Sequence, residues 1–208
     1  MSLSASKPTW LTFDCYGTLI QWDEGLNVAV NRILAKQTRK TVDAGTLIEV
    51  YDKHEHDLEQ TAPHRKFREV AGTALELAMK ELGLTYQPGD IEILTSSISK
   101  MPPFPEVPDT LGQLKSMDFN LCVISNTDDD IIAGNVAQLG GHIDRVISTE
   151  QAQAYKPKRR AFELAHNAIG ISQNDVCIFA QARIWILKQN AKWASTASGS
   201  IAEQGGNR

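Results

Sequence analysis

The chain has 208 residues, 42% of them hydrophobic and 22% charged, with a formal net charge of -4. These are ordinary values for a soluble globular protein, and the charge gives no reason to expect nucleic acid or an anionic membrane as partner. The length allows one domain with a large insertion or two small domains, and no run approaches the ~20 apolar residues of a membrane span.

The stretch Met1 to Pro8 is short and polar, without the apolar core of a secretory signal. Next comes Trp10-Leu11-Thr12-Phe13-Asp14-Cys15-Tyr16-Gly17-Thr18-Leu19-Ile20, an apolar run that ends abruptly on a carboxylate, with a turn at Gly17. This reads as a buried strand with Asp14 at its carboxyl end, where open α/β sheets bind ligands. A carboxylate there costs free energy unless it is paired or used; the plainer alternative is a strand-capping Asp before a glycine turn. Helical spacing follows over 24–37, through Leu26, Val28, Val30, Ile33 and Leu34, and over 46–60. The second of these ends in a charged, His-rich segment from Tyr51 to Asp57. His54 and His56 lie two apart and share no helix face, so the segment reads as a solvated face rather than a metal site. Residues 64–82 repeat the helical pattern through Phe67, Val70, Ala71, Ala74, Leu75, Leu77, Ala78 and Leu82, with Gly83 as the stop. A further helix over 88–99 has Asp90 in its first turn.

Prolines 102, 103, 105 and 108 break the pattern and mark a return linker. Beyond it the expected order is a helix over 109–117 capped by Asp109, a strand over 119–124 ending at Ser125-Asn126-Thr127, and a helix over 131–139 stopping at Gly140-Gly141. A short strand over 145–148, a helix over 158–169 before Gly170 and a strand over 176–180 complete it. Strands alternating with helices imply a parallel sheet with right-handed crossovers. The expected fold class is therefore α/β, a Rossmann-like parallel sheet core with an inserted α-helical domain. The expected domains are a core of 8–20 and 103–208 and a helical insertion of 21–102. The three cysteines, Cys15, Cys122 and Cys177, lie in apolar runs with no metal spacing. They act as small hydrophobes and suit a reducing cytoplasm.

Three groups reach the carboxyl edge of this sheet: Asp14 with Thr18, Ser125-Asn126, and Lys156 after the third strand. A carboxylate there can act as a nucleophile, an ammonium holds it ionised, and hydroxyl and amide donors can orient it or a bound anion. Singly, Lys156 reads as a surface lysine and Ser125-Asn126 as a helix cap; together and in this order they read as a site.

The motifs Asp14-Cys15-Tyr16-Gly17-Thr18, Ser125-Asn126 and Lys156-Pro157 resemble the haloacid dehalogenase superfamily over most of 8–180, with 21–102 as its helical cap. Phe104-Pro105-Glu106-Val107-Pro108-Asp109-Thr110-Leu111 and Tyr155-Lys156-Pro157 are similar to its L-2-haloacid dehalogenases (type II). That resemblance implies hydrolysis of small (S)-2-haloacids to 2-hydroxy acids through an Asp14 alkyl ester, with Thr18, Ser125, Asn126 and Lys156 as catalytic support. It implies substrate contacts from Cys15, Tyr16, Phe104, Arg65 and Arg68, with no metal and no other cofactor. The partners implied are the 2-haloacid and water, not nucleic acid or membrane, and homodimers are common in that family.

Phosphatases of the superfamily carry a second Asp two positions after the nucleophile to protonate a departing alkoxide; Tyr16 stands there here. A halide needs no proton, so Tyr16 favours carbon–halogen cleavage over the alternative, a phosphatase of small phosphometabolites. Two departures stand out. The stretch 47–56 lacks the arginine that meets the halide, leaving Arg65 and Arg68 as its substitutes, and Phe162 replaces the usual Tyr.

The tail is the third departure. After Ala180-Gln181 no acid appears until Glu203, although the resemblance implies an acidic residue there for the hydrolytic step. Read from the third base of each codon, Trp185-Ile186 forces an Asp, Trp193-Ala194 forces a Gly, and 197–202 is compatible with Val-Trp-Ile-Asn-Arg, all words of the family's ending. The tail therefore reads as a frameshift near Gln181, in the gene or in its sequencing, against the alternative of natural divergence. A real frameshift would make the protein a catalytically impaired homologue; the nucleotide sequence decides.

Overall fold

The computed structural model describes residues 9–38 and 42–170, and the backbone of 178–180. Expectations for 1–8, 171–177 and the tail from 181, Cys177 and the frameshift among them, lie outside the described residues. One parallel sheet is built from β1 (Trp10–Phe13), β2 (Asn120–Ser125), β3 (Arg145–Ser148) and β4 (Ile178–Ala180), in the order β3-β2-β1-β4. The expected class holds.

Burial explains why these segments are strands. Residues Leu121, Cys122, Val123 and Ile124 of β2 are all buried, the continuous apolar run of a parallel strand covered on both faces. Period-two geometry sorts their side chains. Leu121 and Val123 join Leu11 and Phe13 in the main core, while Cys122 and Ile124 pack with Ile147 and with Ala165 and Ile169. The last two lie on α8 (Arg159–Ile169), which ends at Gly170 in the left-handed region as expected.

Four helices fill the chain between β1 and β2: α1 (Trp22–Leu34), α2 (Ala44–Gln60), α3 (Phe67–Glu81) and α4 (Gly89–Ile98). On α1, Leu26, Ala29, Val30 and Ile33 are buried, the i, i+3, i+4, i+7 stripe of an amphipathic helix. α2 packs on α3 and α1 on α4. Asp90, fully buried in the first turn of α4, accepts from Lys36 Nζ at 2.5 Å and from the Gln87 amide at 2.8 Å, which ties the end of α1 to the start of α4.

Several boundaries and one face correct the sequence expectation. The helix expected from 64 begins at Phe67, because 61–66 is a loop. The next helix, α5, spans Val107–Ser116. Pro108 sits in its first turn, where a missing N–H is harmless, so Asp109 lies inside the helix rather than capping it. α6 runs Asp129–Val136, earlier and shorter than 131–139, and a short α7 (Thr149–Ala152) was not foreseen. Ser148 nucleates that turn by accepting the Gln151 amide at 3.1 Å, a side-chain cap. Finally, the segment 51–57 is not simply a solvated face: Tyr51 is buried and its hydroxyl donates to Glu55 Oε1 at 2.5 Å.

Candidate active site

The site begins where β1 stops. The Cys15 carbonyl accepts from the amides of Thr18 (3.3 Å), Leu19 (2.8 Å) and Ile20 (3.0 Å), and Gly17 N–H donates to the Ile20 carbonyl at 2.9 Å. This compact turn needs Gly17 at φ +76, although a Cβ there would meet nothing within 4 Å. The requirement is conformational rather than spatial. The turn brings Thr18 back so that its hydroxyl donates to Asp14 Oδ2 at 3.3 Å.

Lys156 supplies the counter-charge. Its Nζ donates to Asp14 Oδ1 and, at 2.9 Å, to the Ile124 carbonyl at the end of β2. Both partners are largely withdrawn from solvent, with side-chain exposures of 12% for Lys156 and 20% for Asp14. An ion pair so placed is screened far less than a surface pair. Asn126 fixes the lysine by its backbone: Oδ1 accepts the Lys156 amide at 2.7 Å and Nδ2 donates to the Lys156 carbonyl at 3.4 Å. The sequence expectation had Asn126 holding Asp14 or the substrate; the structure has it clamping the segment that carries Lys156. Ser125 Oγ is buried and makes no hydrogen bond to a described residue. Such a group ordinarily has a partner, and a bound ligand can provide one.

The remaining expected residues divide. Cys15 is fully buried, and burial, then the neighbouring Asp14 charge, push its thiol far above the ordinary range; it is an inert wall rather than a reactive thiol. Tyr16 turns its hydroxyl to Asn135 Oδ1 at 2.9 Å and its ring to Trp22, 5.0 Å between centroids. Asn135 in turn donates to the carbonyls of Ile98 (2.8 Å) and Met101 (3.1 Å), so this tyrosine links the turn after Asp14 to the end of α4. Burial raises its phenol pKa, which keeps it protonated and makes it a poor proton donor at neutral pH. Phe104 is buried, its amide donating to the Leu19 carbonyl at 3.0 Å. Arg65 lies in the loop before α3, where its carbonyl accepts the Tyr155 hydroxyl at 2.9 Å. Arg68 is not brought into the cluster: its guanidinium is half exposed and paired with Asp130 at 2.5 Å.

The structure adds residues that sequence reading passed over. Glu59, near the end of α2, accepts from Asn126 Nδ2 at 3.1 Å through Oε2. Burial and the charge of Glu55 push its carboxyl up to about 8, against the pull of Asn126, Lys156 and Lys158. Tyr51, Glu55 and Glu59 recur every four residues, so their shared inward face was visible as spacing but hidden among flanking charges. His64 lies against Tyr155, 5.2 Å between ring centroids, and neither ring nitrogen bonds a described residue; desolvation holds its pKa below the ordinary histidine value. Asp128, buried, accepts the amides of Phe67 (2.8 Å) and Arg68 (2.9 Å) and so caps α3 from across the sheet edge. The Tyr155 and Asp128 contacts tie the loop 61–66 and the start of α3 to the segments that follow β3 and β2. Among the described residues no group of three His, Cys, Asp or Glu is placed to hold a metal ion.

Comparison with known proteins gives the family. The (S)-2-haloacid dehalogenase of Pseudomonas sp. (strain YL) is 26% identical over 184 residues, covering 84% of this chain and 75% of that protein. The (S)-2-haloacid dehalogenase 4A of Burkholderia cepacia is 26% identical over 179 residues, with the same two coverages, 84% and 75%. The solved L-2-haloacid dehalogenase of Xanthobacter autotrophicus superposes with a TM-score of 0.67 at 21% identity, covering 79% of this chain and 66% of that one, a likeness of fold. Residues 9–179 match the family model of haloacid dehalogenase-like hydrolases, and the chain belongs to that family.

Proposed function

We propose that the protein is a hydrolase of carbon–halogen bonds that converts small (S)-2-haloacids to 2-hydroxy acids, with Asp14 as nucleophile. The observation that carries the reading is the Asp14 carboxylate, held at the end of β1 by Lys156 and Thr18, with Tyr16 rather than an acid two residues on and turned away to Asn135. Two relatives that each cover 84% of the chain are (S)-2-haloacid dehalogenases, which supports the same substrate class.

In the first step an Asp14 oxygen attacks the halogen-bearing carbon from behind. The new C–O bond forms as the carbon–halogen bond breaks, the electron pair leaves with the halide, and the carbon inverts. Oδ2, which among the described residues holds the long Thr18 bond, is the freer oxygen; Oδ1 stays on Lys156 and becomes the ester carbonyl. The ammonium then polarises that carbonyl for water, as a preorganised donor does in acyl transfer. Water adds to Cγ, and the 2-hydroxy acid leaves with the original aspartate oxygen. Buried Ser125 Oγ is a donor for the substrate carboxylate. In this reading 21–102 serve as a cap over 8–20 and 103–208, and buried thiols Cys15 and Cys122 suit the cytoplasm.

The test compares chloride release from L-2-chloropropionate with phosphate release from p-nitrophenyl phosphate and Mg²⁺. Chloride release that Asp14→Asn abolishes is the expected result, and single turnover in ¹⁸O-water should label Asp14. Phosphate release without chloride release would replace the reading with a phosphatase.

A further inference from the structure

The reaction proposed above leaves one chemical need unmet. Once Asp14 is alkylated, a water must lose a proton as it attacks the ester, and Asp14 is no longer a carboxylate. Lys156 is a cation, and Thr18, Ser125 and Asn126 are neutral. Among the described residues, Asp128 accepts the amides of Phe67 and Arg68 on both its oxygens, and Glu55 lies one helical turn before Glu59 with the Tyr51 hydroxyl on Oε1. Beyond β4 no Asp or Glu occurs from Gln181 to Ala202.

Resting on that reading of the site, we propose that Glu59 is the general base of the hydrolytic step, taking a proton from the water that attacks the Asp14 ester. The geometry supports it through a short chain of contacts. Glu59 Oε2 accepts from Asn126 Nδ2 at 3.1 Å, Asn126 Oδ1 accepts the Lys156 amide at 2.7 Å, and Lys156 Nζ reaches Asp14. The carboxyl, on α2, thus meets Asn126 just past the carboxyl end of β2, the strand that pairs with the one leading to Asp14. Lys158 anchors that helix end, its Nζ donating to the carbonyls of Glu59 (3.2 Å) and Gln60 (3.4 Å).

The charges facing Glu59 are Glu55 from its own helix and Lys156 and Lys158 from the segment after α7, with the Tyr155 phenol nearby. Burial and Glu55 raise its pKa, and the two lysines and Asn126 lower it, for a value of about 8. A base is most effective when its pKa lies near the working pH, and an ordinary exposed glutamate is a weaker one. At neutral pH the resting carboxyl is largely protonated, so it adds little repulsion against an anionic 2-haloacid. The step balances. Water oxygen bonds to Cγ while Glu59 takes one proton. The tetrahedral intermediate expels the 2-hydroxy oxygen, which takes that proton from Glu59. The second water proton leaves Asp14 for solvent as the carboxylate re-forms.

Glu59→Gln separates this role from mere positioning, because the Gln carbonyl oxygen can still accept from Asn126. Rapid-quench single turnover with L-2-chloropropionate reads both halves: chloride release for ester formation, and mass spectrometry of the Asp14 peptide for ester decay. The expected variant releases chloride in a burst within about threefold of the wild-type rate and accumulates the ester. Its ester decay is slowed by about 10²-fold or more, the usual worth of a general base. Wild-type ester decay should rise with pH up to about 8, and that rise should vanish in the variant. Glu59→Asp, which keeps the carboxylate, should recover part of the decay rate. Ester decay in Glu59→Gln within about threefold of wild type, or equal decay in the Gln and Asp variants, overturns the proposal. Absence of both chloride and ester in the wild type overturns it together with the dehalogenase reading, and that outcome is distinct from normal turnover in the variant.

Discussion

Asp14 and Lys156 are separated by 142 positions; Asp14 was legible as an acid ending an apolar run, whereas Lys156 alone read as a surface lysine and gained meaning only in order with the other strand-end groups. What pairs them is the parallel register. Phe13 lies opposite Val123, so the next residue comes level with Ile124, whose carbonyl also holds Lys156 Nζ. Removing that ammonium through Lys156→Met should lower chloride release about 10²–10³-fold, the loss typical of a preorganised donor; a fall of less than tenfold in the same assay would reduce Lys156 to a structural role. Tyr16 illustrates the opposite case. Its position argued against a phosphatase from sequence alone, but its partner Asn135 lies 119 positions away and no local pattern announces it. Tyr16→Phe leaves a buried Asn135 oxygen short of a donor and should cost about 1–3 kcal/mol, read as a lowered urea midpoint.

At the scale of elements, the apolar stripes of α1 and α3 and the glycine stop of α8 were readable because burial imposes helical periodicity. Helix starts were harder. α3 has Lys66 at its N-cap with no side-chain cap bond of its own; its cap, Asp128, comes from the turn after β2. Sequence reading looks for a cap next to its helix, so this one was invisible. Asp128→Ala uncaps two amides and should destabilise the protein by about 1–2 kcal/mol, and faster proteolysis within 61–66 should accompany it. Close packing was equally hidden. A Cβ on Gly134 of α6 would come within 2.4 Å of the Ser99 carbonyl oxygen, so that contact with α4 tolerates only glycine. Gly134→Ala should cost about 1–3 kcal/mol by overpacking, measured by the same urea titration.

For the whole molecule, two sets of carboxylates give stability a pH dependence with opposite signs. Burial lifts Glu55 to about 7 and Glu59 to about 8 from the ordinary 4.5. The folded state therefore holds their protons more tightly than the unfolded state does. Their contribution is full below about 4.5 and is lost as pH rises through 7 to 8. In the other direction, the Lys66 pairing holds Glu150 below the usual carboxylate range, as the Thr46 amide and hydroxyl do Asp43. Stability from these two is present above the ordinary values and lost as pH falls through their folded values. The urea midpoint should therefore be highest in mildly acidic solution and decline toward pH 8.5. Glu55→Gln should flatten that decline, gaining stability at pH 8 relative to pH 5; an unchanged slope would show that its burial costs nothing.

By itself the amino-acid sequence determined the class of fold, the order of most elements, the carboxylate that ends β1 and the two strand-end motifs that accompany it. These are carried by local signals: apolar periodicity, glycine and proline punctuation, and polar residues that end buried runs. Only the tertiary structure decided what Asn126 grips, that Arg68 leaves the site for Asp130, that Asp128 caps a distant helix, and that the Glu59 carboxyl meets Asn126. Those outcomes depend on which helix face meets which strand end. That choice is made by burial and by pairing across long stretches of chain, where charged residues of the same type are satisfied at the surface or buried according to what lies opposite them.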